Sequence, residues 1–250
     1  MFVAATTRCF SELPLEQVLD RLVHLEFTAI ELMIHEQGGY LKPSDVLADF
    51  DQAVRCCRET RRLTICAMSV EPDSENAELY YQQFQACCKL AKAVKVVTIT
   101  VRSSELGTPF NEEIERLRRL VALAGREGVR VGLLTETGRM SQDPDTACVI
   151  CQNVEGLGIT LDPSHFIYGP HKGARFEQVM KHVYHVRLRD TSKDQLQVRV
   201  GQGDVEYGRL INQLTKYQYN RALAVDITPM PEVDQMAELR KMRLLLESLL

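Results

Sequence analysis

Residues 130–161, RVGLLTETGRMSQDPDTACVICQNVEGLGITL, contain a complete strand–helix–strand unit. The β-rich runs Arg130–Thr135 and Leu157–Leu161 predict two short strands. Between them the amphipathic segment Asp143–Gln152 predicts a helix, because Asp-Pro is a typical helix start. Two strands joined through a helix form a parallel pair. This stretch therefore predicts one β/α repeat of a parallel sheet.

The same alternation occurs eight times along the 250 residues. The predicted strands are Phe2–Ala5, Ala29–Ile34, Leu63–Ser69, Lys95–Val101, Arg130–Thr135, Leu157–Leu161, Val183–Arg189 and Ala222–Ile227. The predicted helices are Leu15–Leu25, Ser44–Thr60, Ser74–Ala93, Asn111–Glu127, Asp143–Gln152, Arg175–Lys181, Val205–Tyr217 and Glu232–Leu249. Eight units at roughly 30-residue spacing predict an α/β fold, a single (β/α)₈ TIM barrel forming one domain over residues 1–250.

Two further features bear on the topology. The segment after the first strand, residues 4–9, contains no glycine. It therefore lacks the phosphate-binding loop of an open, doubly wound sheet. The polar connection Thr191–Gly203 is long for a strand-to-helix loop. Its alternating part, Gln195–Val200, predicts a small hairpin over the barrel mouth.

The composition narrows the class of protein. Hydrophobic residues make up 45% and charged residues 26% of the chain, as in soluble globular proteins. No apolar run approaches the ~18 residues of a membrane span, and the N-terminus lacks a secretory pattern, so we expect a cytoplasmic protein without a membrane partner. The net charge of −4, without a basic stripe, argues against nucleic acid as the partner. The Cys148/Cys151 pair lacks a second ligand pair and is interpreted as helix packing rather than a zinc site.

Side chains that could do chemistry are expected where the strands end. In barrels of this kind the reacting groups come from the C-terminal ends of the strands. The strand ends carry Glu31, Arg102, Glu136, Asp162, the His185/Arg187/Arg189 face and Asp226. Several acids therefore converge on one predicted mouth.

Six segments carry a resemblance to a known family. They are Thr28-Ala29-Ile30-Glu31-Leu32, Gly132-Leu133-Leu134-Thr135-Glu136, Thr160-Leu161-Asp162-Pro163-Ser164-His165, His185-Val186-Arg187-Leu188-Arg189-Asp190, Val200-Gly201-Gln202-Gly203-Asp204-Val205 and Leu223-Ala224-Val225-Asp226. Together they resemble the xylose isomerase-like barrel superfamily, which contains sugar isomerases and epimerases, inosose dehydratase and endonuclease IV. The resemblance extends over nearly the whole chain.

The resemblance implies a site and a cofactor. It places Glu136, Asp162 and Asp226 at positions that bind a divalent metal (Mn, Mg, Co or Zn), and it makes Glu136 and Asp226 the catalytic carboxylates. The implied substrate-binding residues are His165, His185, Arg187, Arg189 and Glu31. The implied reaction removes a proton from the carbon next to a carbonyl of a carbohydrate and returns it elsewhere, while the metal stabilises the enediolate.

Two positions depart from the family pattern. Arg187 occupies the position of the metal-binding histidine, and Asp226 replaces a glutamate. An arginine cannot ligate a metal, because it offers only hydrogen-bond donors. Our hypothesis is a weak or absent metal site, in which Arg187 bridges Asp162 and another acid and supplies the missing positive charge. Glu136 is then the expected base.

Structural roles are the alternative interpretation of these residues. Asp162 could form an Asx-turn with the two residues that follow it. Arg187 and Arg189 could pair with Asp190 and Glu136 in an ion network, and Glu31 could be an internal partner of such an arginine.

Three functions remain open on the sequence. The first is a sugar, sugar-phosphate, polyol or inosose isomerase or epimerase, with a dehydratase as a variant. The second is a non-catalytic or metal-free sugar-binding member of the family. The third, an endonuclease IV-like nuclease, is disfavoured because Gln195-Leu196-Gln197 replaces an expected Asp-x-His pair. The leucine-rich end Met242–Leu250 is expected to pack on the barrel and to offer a dimer contact, which suggests a homodimer or homotetramer.

Overall fold

In the computed structural model, which describes residues 1–38, 40–173 and 175–250, the strands form a closed parallel barrel. Each strand pairs with its neighbours in chain order, and the last pairs with the first. The strands are β1 Phe2–Thr6, β2 Ala29–His35, β3 Thr64–Glu71, β4 Thr98–Arg102, β5 Arg130–Leu134, β6 Leu157–Leu161, β7 Val183–Leu188 and β8 Ala222–Val225. The predicted (β/α)₈ TIM barrel is confirmed.

Helices surround this barrel. They are α1 Leu15–His24, α2 Pro43–Ala48, α3 Phe50–Arg58, α4 Ala77–Ala93, α5 Phe110–Arg126, α6 Pro144–Asn153, α7 Ser164–Tyr168, α8 Tyr207–Lys216 and α9 Gln235–Glu247. Short 3₁₀ turns cover Thr7–Phe10, Met140–Gln142 and Glu177–His182. Within the described part of the chain, none of the helices has the length and apolar character needed to cross a membrane.

The sheet buries both of its faces. On β8, Leu223 and Val225 belong to the large apolar core, which includes the inner faces of the helices. Ala222 and Ala224 alternate with them and form a separate small cluster with Ala4 and Ala29. Alternate residues of a barrel strand point inward, so small side chains line the inside at this level. The long side chains of neighbouring strands, such as Arg187 beside Ala224, can therefore extend into the barrel.

The CxxC pair belongs to this packing. Cys148 and Cys151 are both buried on α6 as free thiols. Burial raises the pKa of Cys151 to about 12. Such a thiol stays protonated near neutral pH, which is the behaviour of a packing residue.

Three details of the predicted secondary structure are wrong. The helix predicted over Ser44–Thr60 is two helices, because Asp49 leaves the helical conformation and caps α3 by accepting the Gln52 amide at 2.9 Å. The helix predicted over Arg175–Lys181 is the 3₁₀ turn Glu177–His182. No strand forms at Gln195–Val200, which lies wholly within the described residues. Gln197 instead bonds Thr228 on the neighbouring loop, at 2.7 Å to its carbonyl and 2.9 Å from its amide.

Asp190 holds the long loop after β7 against the barrel mouth. Its Oδ2 accepts the amides of Gly201 at 2.7 Å and Gly203 at 3.1 Å. Its Oδ1 accepts the Thr191 amide at 3.1 Å. All of its hydrogen bonds among the described residues go to backbone amides, so Asp190 positions this loop.

Candidate active site

A buried ion pair lies deepest inside the barrel. Glu31 on β2 accepts two hydrogen bonds from Arg187 on β7, at 2.9 Å from Nε and 2.6 Å from Nη2. His185 Nε2 lies 3.1 Å from the same carboxylate. Burial alone would raise the pKa of Glu31, but the Arg187 charge, the nearby His185 and the two Arg187 hydrogen bonds outweigh it and hold that pKa well below its ordinary value. Glu31 is therefore a permanent anion that neutralises Arg187.

Arg189 bridges two acids above this pair. Its Nη2 donates to Asp162 Oδ2 at 2.7 Å and to Asp226 Oδ2 at 2.8 Å. Asp162 follows β6 and Asp226 follows β8, the two neighbours of β7 in the barrel. One guanidinium nitrogen thus occupies the space between the two carboxylates.

Arg8 and Thr6 complete the surroundings of Asp226. Arg8 donates from Nε to Asp226 Oδ1 at 3.0 Å and from Nη2 to Oδ2. The Thr6 hydroxyl donates to Oδ1 at 2.7 Å. With Arg189, three side chains direct four donors at one fully buried carboxylate. The Arg8 side chain remains 36% exposed at the mouth.

These contacts keep the two aspartates ionised. Burial tends to raise both of their pKa values, but the arginine charges prevail. Arg189 followed by His165 lowers the pKa of Asp162, and Arg8 followed by Arg189 and Arg187 lowers that of Asp226. A carboxylate with a strongly lowered pKa is a weak general base.

A second cluster occupies the opposite side of the mouth. Arg102, at the end of β4, donates to Glu136 Oε2 at 2.7 Å from Nε and to Oε1 at 2.5 Å from Nη2. Its Nη1 donates to Glu71 Oε1, at the end of β3, at 2.7 Å. Arg139 Nε lies 3.4 Å from Glu136 Oε2. The Glu136 and Glu71 side chains are 18% and 35% exposed, so both are accessible from the mouth.

His165 is a neutral donor at the mouth. The Thr137 amide donates to its Nδ1 at 3.1 Å, which leaves the proton on Nε2, 3.7 Å from Asp162 Oδ2. Burial, opposed by the Asp162 charge, lowers the pKa of His165. The ring is therefore uncharged near pH 7.

The donor set does not fit the metal that the resemblance implies. A divalent cation requires converging lone pairs, yet Glu136 and Asp226 each direct both oxygens at guanidinium groups, as Asp162 does with Oδ2. Arg187 contributes donors only. In the residues that the structure describes, no three His, Cys, Asp or Glu side chains are grouped to hold a metal ion.

The charges of the mouth are already balanced. Five guanidinium groups face five carboxylates, namely Arg8, Arg102, Arg139, Arg187 and Arg189 against Glu31, Glu71, Glu136, Asp162 and Asp226. A divalent ion would add two uncompensated positive charges in a region of low dielectric. Arginine supplies the positive charge here.

The structure revises one part of the sequence hypothesis. Arg187 does not bridge Asp162 to another acid, and neither arginine of β7 pairs with Asp190 or Glu136. The bridge is formed by Arg189, which lies two residues nearer to the mouth. Asp162 forms the predicted Asx-turn and also belongs to the site. Its Oδ1 accepts the Ser164 amide at 3.0 Å, while its Oδ2 accepts from Arg189.

Sequence reasoning missed Arg8 and Glu71 as site residues. It noted Arg102 as a strand end without giving it a role. Applied to the observed strands, the strand-end rule selects Glu71 and Arg102 as terminal residues and Arg8 two residues beyond β1. Glu71 was overlooked because the third strand was predicted to end at Ser69.

Fold and site together define a (β/α)₈ barrel with a charged mouth at the C-terminal ends of its strands. The family model for the xylose isomerase-like TIM barrel matches residues 19–245. The chain belongs to this family. A comparison of its sequence with curated proteins gave no match.

Solved structures share the fold over almost their full length. The probable 3-DHS dehydratase AsbF of Bacillus anthracis, involved in petrobactin synthesis, is 16% identical with a TM-score of 0.76, and 99% of each chain is covered. The 3-keto-D-glucoside 4-epimerase YcjR of E. coli is 15% identical with a TM-score of 0.76, again over 99% of each chain. A xylose isomerase-like TIM barrel protein of Mycobacterium smegmatis, in complex with magnesium, is 17% identical with a TM-score of 0.76, over 99% of this chain and 97% of that one.

Proposed function

We propose that this protein is a sugar isomerase or epimerase that moves a proton at the carbon next to a carbonyl group, without a bound metal. Its substrate is a small sugar, a sugar phosphate or a keto-polyol. Membership of the family and the epimerase of the same fold support the reaction class. The observation that carries the proposal is Glu136, an accessible carboxylate beside fixed guanidinium groups.

Glu136 is the proposed base. It is an acid at the C-terminal end of the barrel, where catalytic groups of this fold lie. Arg102 holds both of its oxygens, which fixes the direction in which the carboxylate can accept a proton. A positioned carboxylate of this kind contributes about 10²–10⁴-fold to a proton transfer.

Arg8 and Arg189 supply the charge that an enediolate needs. No hydrogen bond from Nη1 of either arginine occurs among the described residues, and Arg189 Nε is a buried donor without a partner. Free donors fixed in a region of low dielectric stabilise a developing oxyanion. His165 Nε2–H is a further neutral donor for a substrate oxygen.

One observation favours a second candidate, a protein that binds a sugar without turning it over. Asp226, the second carboxylate that the resemblance makes catalytic, is engaged by four donors and has a strongly lowered pKa. It is therefore a poor acid–base group. The nuclease alternative requires three zinc ions. The described part of the chain contains no group of three His, Cys, Asp or Glu side chains that could hold one.

Solvent exchange distinguishes the two candidates. Chelator-treated protein in D₂O is mixed with aldoses, ketoses, their phosphates and keto-inositols, and loss of the α-proton signal is followed by NMR. We expect the wild-type protein to exchange the α-proton of one substrate class. The exchange rate should be at least 100-fold lower in Glu136→Gln. It should be unchanged in the control Glu112→Gln, which alters an exposed acid on α5. Thermal stabilisation by a sugar with no exchange in any class would contradict the proposal and support the binding protein.

A further inference from the structure

Glu71 has no role in the chemistry described above, yet it has the geometry of a reacting group. It ends β3 at the same mouth as Glu136, and its side chain is 35% exposed. Its two oxygens have separate partners. Oε1 accepts from Arg102 Nη1 at 2.7 Å, and Oε2 lies 3.3 Å from His35 Nδ1.

His35 lies beside Glu71. Its Nε2 is 3.0 Å from the Ser69 hydroxyl, and its Nδ1 faces the carboxylate. Burial, only partly opposed by the Glu71 charge, lowers the pKa of His35 to about 4. The ring is therefore neutral near pH 7 and adds no charge beside Glu71.

Arg102 lies between two accessible carboxylates. A guanidinium has five N–H groups, and three of them donate to Glu71 and Glu136. The other two, on Nη1 and Nη2, have no partner among the described residues. An oxyanion bound to these donors would have a carboxylate on either side.

A cavity adjoins this cluster on the β3–β4 side. Its volume is about 230 Å³, and its lining includes Glu71, Arg102, Arg139, Arg116 and Tyr80. It lies below the usual size range of ligand pockets, roughly 300–1,000 Å³. The space suits part of a small polar molecule whose reacting carbon remains at the mouth.

We propose that Glu71 is the second acid–base residue of the site and that Glu71 and Glu136 together invert the configuration at a carbon next to a carbonyl. This inference rests on the proposed function and narrows it to epimerisation of a small keto-sugar. Arg102 is the electrophile that both carboxylates flank.

The step balances with two carboxyl groups and one proton. Glu136 takes the α-proton as the C–H bond breaks, and the electron pair of that bond forms the C=C bond of an enolate. The two N–H groups of Arg102 that do not donate to a carboxylate hold the enolate oxygen, while Arg8 and Arg189 face the second oxygen of the enediolate. Glu71, an accessible carboxylate in the resting site, takes up one proton from solvent before turnover, and it now delivers that proton to the opposite face of the same carbon as the carbonyl forms again. Glu136 ends protonated and Glu71 ionised, and exchange with water restores the starting state.

Glu71→Gln tests this proposal because it separates deprotonation from inversion. A single keto-sugar epimer that wild-type protein exchanges is incubated in D₂O, and NMR follows both α-deuteration and formation of the other epimer. Glu71→Gln should deuterate this epimer within about 3-fold of the wild-type rate and form the other epimer at least 100-fold more slowly. Asp73→Asn, which changes an exposed acid in the loop two residues after Glu71, should match the wild type.

Three outcomes would overturn the inference. They are normal inversion by Glu71→Gln, an equal loss of deuteration and inversion in that variant, and a wild-type protein that deuterates its substrate without forming an epimer. In each of these cases the proposed function still stands. The proposed function fails separately if the wild-type protein deuterates no substrate at all.

Discussion

Arg189 lies two residues beyond Arg187 on the same face of the strand, which is about 6.6 Å along its direction. That distance decides which acids each arginine meets. Arg187 extends into the barrel to Glu31, while Arg189 meets Asp162 and Asp226 at the mouth. The guanidinium that takes the place of a cation therefore lies two residues beyond Arg187, the residue that replaces the family's histidine.

This difference predicts how a metal site could be restored. Arg187→His alone should not bind metal, because Arg189 still occupies Asp162 and Asp226. The triple change Arg8→Met, Arg187→His and Arg189→Met, which also frees Asp226 from Arg8, should bind Mn²⁺ or Zn²⁺, measured by titration calorimetry on chelator-dialysed protein. Stoichiometric binding by the single Arg187→His variant would contradict this account of the site.

Removing Arg189 should also destabilise the protein. Asp162 and Asp226 are fully buried, and Arg189→Met leaves them without their shared partner. Breaking a buried pair from one side costs about 3–5 kcal/mol. Arg209→Met, which removes a 61% exposed arginine from two surface pairs, should leave the free energy of unfolding in urea titrations close to that of the wild type, because solvent screens such pairs. Equal losses in the two variants would contradict the prediction.

The lowered pKa values predict the acid limit of the fold. Glu31, Asp162 and Asp226 have lower pKa values in the folded chain than the ordinary value of about 4. Their stabilisation is then fully present above about pH 4 and is lost as the pH falls through the folded pKa values. Urea unfolding between pH 7 and 2.5 should show this loss only at the acid end. Stability that increases between pH 7 and pH 4 would indicate raised pKa values instead.

The sequence predicts which residues face the inside of the barrel, but it does not predict which partners their long side chains contact. Strand alternation places residues 185, 187 and 189 on one face, but it does not say whether an arginine extends down into the barrel or up to the mouth. That direction depends on Glu31 across the barrel and on the alanines that leave room for Arg187. These are contacts between distant segments, which no local pattern records.

At the scale of elements, the loop after β7 is held by side-chain hydrogen bonds instead of by strand pairing. The alternating pattern predicted a hairpin, but Asp190 and Gln197 provide the loop with hydrogen-bond partners that a hairpin would otherwise supply. A period-2 pattern over six residues is weak evidence when side chains can satisfy the backbone.

Gly203 is the sensitive position of this loop. A Cβ there would overlap Asp190 Oδ1 and the Thr191 carbonyl, so Gly203→Ala must displace the loop from its anchor. We expect a loss of about 1–3 kcal/mol in unfolding free energy. Gly208→Ala on α8, whose Cβ would meet nothing within 4 Å, should be neutral or stabilising. Thermal unfolding of both variants measures the difference, and equal melting temperatures would show that Asp190 does not hold the loop.

At the scale of the whole molecule, the fold follows from the sequence because eight units repeat the same strand–helix alternation. Each strand predicted from a β-rich run corresponds to an observed strand, and closure then depends on their number. The positions of the strand ends are less well determined. The end of β3 lies two residues beyond the predicted Ser69, and this small shift concealed Glu71.

The central claim is that guanidinium groups, rather than a metal ion, provide the positive charge of this mouth. The most direct measurement compares α-proton exchange by the same preparation before and after chelator dialysis, with metal content determined on both samples. We predict equal exchange rates with far less than one metal ion per chain. Exchange that disappears on dialysis and returns with added Mn²⁺, Mg²⁺, Co²⁺ or Zn²⁺ would contradict the claim.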